Sequence, residues 1–198
     1  KLAAMPARFG EIRQPVGNYL LVPSVSSEDR PYIAVGFMTA DVIATNLCLV
    51  VPNATLTLFG LISSTMHMAW VRNIGGRLKS DYRYSATLSY NTFPFPTLTD
   101  VQRQRIADGA SEVLKVRERH RPASLATLYN PETMPPDLVK AHRNLDQLVD
   151  RTYRAQPFTS ELERARLLLT EYQRLAAPLD ARPMARRTRR IRPTSNSS

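Results

Sequence analysis

Cysteine, histidine and glycine are scarce in this 198-residue chain, and each scarcity excludes a class of function. The lone Cys48 rules out an internal disulfide framework and a cysteine-rich zinc site. Only His67, His120 and His142 are imidazoles, and none has a Cys, a second His or an acid at metal-ligand spacing, so each is expected to be structural and no metal is expected. Seven glycines form no Gly-x-Ser-x-Gly, Walker or Gly-x-Gly-x-x-Gly run. A self-contained enzyme is therefore not expected, and no catalytic residue is assigned. A long hydrophobic run is also missing. The longest, Val42 to Val51, is interrupted by Thr45 and Asn46 and is too short to cross a bilayer. No charged segment followed by an apolar one marks a secretion signal. No membrane association is expected, and the expected location is cytoplasmic.

Acidic residues are the other deficit: 17 Asp and Glu stand against 27 Lys and Arg, a formal net charge of +10. That balance favours a polyanion as partner, and nucleic acid is the commonest. Half of the excess sits in residues 178–198, where six arginines face Asp180 alone. The tail is expected to be disordered, and it reads equally as a phosphate binder or as a solvated extension. The body is only mildly basic. Its hydrophobic content, 43% of the chain, is enough for a packed core. The chain starts at Lys1 rather than Met, which suggests a piece of a longer protein.

Patterning along the chain predicts an α+β fold. Tyr19 to Pro23 is a short strand. Residues 31–71 hold one charge, Asp41, and are expected to be largely buried, with inner strands at Tyr32–Met38 and Leu47–Val51. Leu56, Phe59, Ile62, Met66, Trp70 and Ile74 then recur at helical spacing, predicting one helix capped by Asn53 or Thr55 and stopped by Gly75-Gly76. Asn91 to Pro96 is a rigid connector. Three helices follow. Thr99 caps the first, which runs to about Arg119. Pro135-Pro136 opens the second, Asp137 to Tyr153. Ser160 and Glu163 form a capping box for the third, with Leu162, Leu168, Leu169, Tyr172 and Leu175 facing inward. Asp146 and Asp150, beside Arg143 and Arg151, read as salt-bridged helix surface.

The segment Arg77 to Ser85, Arg-Leu-Lys-Ser-Asp-Tyr-Arg-Tyr-Ser, alternates with a period of two. As a strand it would pack Leu78, Tyr82 and Tyr84 on one face and project Arg77, Lys79, Asp81 and Arg83 from the other. Those are groups suited to base edges: lysine and arginine donate to guanine O6 and N7, and aspartate accepts from cytosine N4. The plain alternative is an edge strand charged against aggregation.

Five runs carry a resemblance. They are Asn53-Ala-Thr, Ser63 to Trp70, Gly76 to Ser85, Tyr90 to Pro96, and Leu128 to Pro136 with its Tyr-Asn-Pro-Glu-Thr-Met-Pro core. In this order, over roughly residues 15–177, the chain resembles the C-terminal third of MmeI-like (type IIL restriction–modification) adenine-N6 DNA methyltransferases. The resemblance implies a DNA target-recognition domain over 1–98 and a helical C-terminal domain over 99–177, followed by the basic tail 178–198. It implies that S-adenosylmethionine and the methyl-transfer residues belong to an upstream methyltransferase domain of the same polypeptide. This chain has neither the cofactor loop nor the Asn-Pro-Pro-Tyr motif, so no cofactor is expected on it. The resemblance also implies that Lys79 and Asp81 read bases in double-stranded DNA, where together they would select one G·C pair. Arg77 and Arg83, and less directly Arg72, are candidates for phosphate contacts, which position without specifying. A stand-alone nucleic-acid-binding module and a helical protein-interaction scaffold are the two rival readings.

Overall fold

The computed structural model describes residues 14–180. Its N-terminal part holds two small antiparallel sheets. In the first, strand β1 (Tyr19–Pro23) lies between β3 (Gly36–Met38) and β4 (Cys48–Pro52). Tyr19 pairs with Met38 on one side and with Pro52 on the other. In the second sheet β6 (Asp81–Arg83) lies between β2 (Val25–Ser26) and β5 (Gly76–Leu78). Ser24 joins the two sheets: its N–H donates to the Leu47 carbonyl at 2.9 Å and its carbonyl accepts from Tyr84 N–H at 2.8 Å.

Two helices lie between β4 and β5 in sequence, α1 (Leu56–Ile62) and α2 (Thr65–Ile74). The single helix expected over this stretch is thus broken at Ser63-Ser64. Serine competes for backbone hydrogen bonds and favours a cap over a helix interior. Ser64 Oγ accepts from His67 N–H at 3.3 Å, and Asp146 Oδ1 accepts from Thr65 N–H at 2.7 Å. The start of α2 is therefore fixed partly by a residue 81 positions away. After β6 the chain makes a π-helical turn, Ala86–Tyr90.

The C-terminal part contains α3 (Asp100–Arg119), α4 (Leu125–Leu128), α5 (Pro136–Tyr153) and α6 (Glu161–Asp180). Thr99 caps α3 through a full capping box with Gln102. Ser160 Oγ caps α6 by accepting from Glu163 N–H at 3.3 Å, but the Glu163 carboxylate turns to Thr159 and Arg154 instead of closing the box. The basic tail beyond residue 180 lies outside the described residues.

One hydrophobic core joins the two halves, from Leu20 and Phe59 through Trp70 to Ile106, Leu145 and Leu168. Helix α1 approaches α3 closely because Gly60 has no side chain: a Cβ there would lie 2.6 Å from Ile106 Cγ2.

Two burial expectations need correction. Residues 39–47 form an exposed loop with Ile43 at 64% and Leu47 at 68% exposure, so the uncharged stretch is not buried throughout. On α6, Ala165 and Leu168 face the core and the Tyr172 ring lies 5.6 Å from that of buried Trp70, whereas Leu162, Leu169 and Leu175 are exposed. Apolar spacing set the expected face, but α2, the helix α6 packs on, covers only part of that stripe. Among the described residues no helix is long and apolar enough to cross a membrane.

Candidate nucleic-acid interface

Arg77–Ser85 is not one strand. It is a tight hairpin, β5–β6, in which Gly76 pairs with Arg83, Arg77 with Tyr82, and Leu78 with Asp81. Lys79 and Ser80 alone form the loop. Lys79 has φ 57°. Positive φ at only the first of two loop residues is the pattern of a type II′ turn, a position where glycine usually stands. The period-two pattern therefore continues through a reversal that carries no glycine or asparagine to announce it.

The reversal re-sorts the faces. Cross-strand partners share a face, so Arg77 lies with Tyr82, and Leu78 lies with Asp81 and Arg83. Tyr82 and Tyr84 are buried as expected, but Leu78 is half exposed rather than packed. Lys79 stands exposed at the tip, Asp81 is partly exposed just past it, and Arg83 is exposed. Lys79 and Asp81 thus flank Ser80 at the end of a hairpin.

The arginines fall into two kinds. The Arg83 side chain has no ion-pair or hydrogen-bond partner among the described residues. Arg77 is engaged: its guanidinium lies 4.0 Å from the centre of the Tyr82 ring, donates to the Ser80 carbonyl at 2.8 Å, and stands 3.7 Å from the Glu28 carboxylate. Arg72 is more occupied still. One Nη meets Glu161 of α6 in a close ion pair, the other donates to the Arg30 carbonyl at 3.1 Å, and the guanidinium sits 5.9 Å from the Tyr82 ring centre.

Two of the three histidines, His67 and His142, are fully buried. His67 Nε2 lies 2.9 Å from the Tyr84 hydroxyl, and His142 Nε2 lies 2.6 Å from the Tyr129 hydroxyl. Burial pushes both imidazoles down to about 3, so both are neutral. Arg117 Nε donates to the Tyr129 hydroxyl at 2.7 Å, which directs the phenolic hydrogen toward His142 Nε2. His120 sits 2.8 Å from Asp137 at the surface. Among the described residues no group of three or more His, Cys, Asp or Glu side chains could hold a metal ion.

Asp146 and Asp150 are not solvated helix surface. Both are buried, and neither pairs with Arg143 or Arg151. Asp146 accepts from Tyr32 and Thr65, and Asp150 takes a two-point contact from Arg164 with Nε at 3.0 Å. Sequence spacing offered nearby arginines as partners, but the fold presents groups from other elements.

Comparison with known proteins gives this geometry a context. Residues 1–97 match the model of the MmeI target recognition domain, and residues 98–180 match that of the MmeI C-terminal domain. DNA methyltransferase A of Bacillus subtilis (strain 168) is 46% identical over 175 residues, which make up 88% of this chain and 20% of that protein. The solved structure of the type IIL restriction-modification enzyme MmeI in complex with DNA superposes with a TM-score of 0.85 at 44% identity, covering 89% of this chain and 24% of that one. The chain spans about a fifth to a quarter of the length of these relatives. It belongs to the MmeI family and carries that family's target-recognition and C-terminal domains.

Proposed function

We propose that this chain is the sequence-specific, double-stranded DNA-recognition part of an S-adenosylmethionine-dependent adenine-N6 DNA methyltransferase of a cytoplasmic restriction–modification or defence system. The similar MmeI structure is a complex with DNA, and both relatives extend well beyond the matched region. S-adenosylmethionine and the reacting groups would sit in the remainder of the polypeptide. The target adenine would swing out of the duplex to reach them, because its amino group is poorly accessible inside the stack.

One observation carries the reading: a hairpin tip with Lys79 held at φ 57° and Asp81 two residues on. A lysine kept where glycine is conformationally favoured argues for a role of the side chain. At the floor of a major groove Lys79 donates to guanine and Asp81 accepts from the paired cytosine. Reversing the pair sets each charge against the wrong edge, so the two residues sense polarity as well as composition. Of the arginines, Arg83 best suits a phosphate. Arg77 and Arg72 reach a phosphate only by sharing guanidinium groups already committed to protein partners.

Salt dependence tests the reading against a protein-interaction scaffold. Binding of the complete polypeptide to its duplex should weaken steeply with salt, and Arg83→Ala should lower the slope of log K against log salt by about 1. Salt-insensitive association would reject DNA as the partner of this face.

A further inference from the structure

The reading hairpin is linked to the C-terminal domain by a continuous chain of side chains. It begins at Glu161 in the first turn of α6, passes through its ion pair with Arg72 near the end of α2, and reaches the Tyr82 ring. That ring carries Arg77 at 4.0 Å, and Arg77 ends on the Ser80 carbonyl at 2.8 Å. Ser80 lies between Lys79 and Asp81. Arg72 also holds the Arg30 carbonyl, and Arg77 approaches Glu28, so the polar loop that follows β2 is drawn into the same cluster.

We propose that Glu161, Arg72, Tyr82 and Arg77 are positioning residues for sequence readout, through which α6 sets the orientation of the hairpin tip. The inference rests on the reading of Lys79 and Asp81 given above, but its geometry stands apart from it. A two-residue turn with a strained lysine has few contacts of its own. Its loop carbonyl is fixed by Arg77, Arg77 is seated on Tyr82, and Arg72 beside that ring is neutralised and oriented by Glu161. A hydrogen bond at the tip demands placement within a few tenths of an ångström. Loss of Glu161 leaves Arg72 with one backbone acceptor and a freer guanidinium, and the tip follows.

The test compares Glu161→Ala with Glu171→Ala, which removes an exposed pair with Arg174 elsewhere on the same helix. Two measurements are made. Hydrogen exchange of the 198-residue chain should show the amides of 76–83 exchanging about tenfold faster in Glu161→Ala and unchanged in Glu171→Ala. Selection of bound duplexes from a randomised pool by the complete polypeptide should show discrimination falling about fivefold at one base pair, with preferences elsewhere retained, a size typical of coupling between contacting groups. A role in stability alone would instead weaken binding evenly at all positions. A Lys79→Glu, Asp81→Arg variant runs beside them. If it shifts the chosen base while Glu161→Ala leaves both discrimination and exchange unchanged, the positioning role is refuted and the reading survives. If it shifts nothing, the reading falls, and hydrogen exchange alone decides whether α6 braces the hairpin.

Discussion

The phenol of Tyr32 donates to the carboxylate of Asp146 at 2.8 Å across 114 positions of sequence. The other oxygen of that carboxylate accepts from Thr65 N–H at 2.7 Å and so caps α2. One buried acid thereby joins the segment before β3, the start of the helix that leads into the β5–β6 hairpin, and α5 of the C-terminal domain. Removing it as Asp146→Ala leaves a buried phenol and a helix-end amide without a partner, which should cost about 3 kcal/mol. Tyr32→Phe leaves the cap intact and should cost about 1 kcal/mol. Urea unfolding of the two variants checks the order. Equal stabilities would show that the carboxylate is not shared in this way.

Acid should destabilise the fold before ordinary carboxylates titrate. His67 and His142 have folded values of about 3 against 6.5 in a free chain. Between those values the unfolded chain binds protons that the folded chain refuses, so this stability is complete above about pH 6.5 and is lost as pH falls. Asp146 acts in the opposite sense: burial raises it from 3.8 to about 6, so the folded chain holds an extra proton in that window. Two losses against one gain leave a net of one proton, and stability should fall by roughly 1.4 kcal/mol per pH unit between about pH 6 and 4. Urea midpoints across that range measure it. A His142→Gln variant should flatten the slope, and a flat wild-type profile would contradict neutral, buried imidazoles.

Two helical glycines should respond differently to alanine. At Gly60 a new Cβ meets Ile106 Cγ2 at 2.6 Å, a methyl held close to its own backbone. At Gly109 the nearest atom is Leu148 Cδ1 at 2.9 Å, the far end of a longer side chain. Overpacking typically costs about 1–3 kcal/mol, while replacing a helical glycine by alanine returns about 1 kcal/mol. Gly60→Ala should therefore destabilise by about 1–2 kcal/mol, and Gly109→Ala should be near neutral. Thermal or urea unfolding distinguishes them; a stabilised Gly60→Ala would mean that α1 and α3 move apart freely.

Lys79→Gly separates stability from readout. Relief of the positive φ favours glycine by about 1–2 kcal/mol, and its greater unfolded-state freedom takes back about 0.5–1 kcal/mol. The variant should be as stable as the parent or slightly more so, yet should lose discrimination at one base pair. A clearly destabilised Lys79→Gly would show that the lysine side chain supports the fold itself.

Local signals were legible in the sequence where the structure depends on local chemistry. Thr99, Pro135-Pro136 and Ser160 mark the starts of α3, α5 and α6 within a residue or two, because caps act over one turn. What was hidden depends on distant groups. The start of α2 is fixed partly by Asp146, and the buried Asp150 is met by Arg164. The hairpin was hidden for another reason: Lys79-Ser80 is an unusual pair for a two-residue turn, so the alternating pattern read as one straight strand. The charged residues of the candidate site were visible, but their faces were not. Arg77 and Arg72 looked like free cations, and only the folded arrangement turns them toward Ser80, Tyr82 and Glu161.

The most direct measurement exchanges the charges at the tip. In the complete polypeptide, Lys79→Glu with Asp81→Arg should change the base accepted at one position of the methylated sequence, found by sequencing methylated DNA, while leaving the other positions as they were. Each good contact is worth about 1–3 kcal/mol of discrimination, so the shift should be plain. An active double variant that methylates the same sequences as its parent would contradict readout by this hairpin.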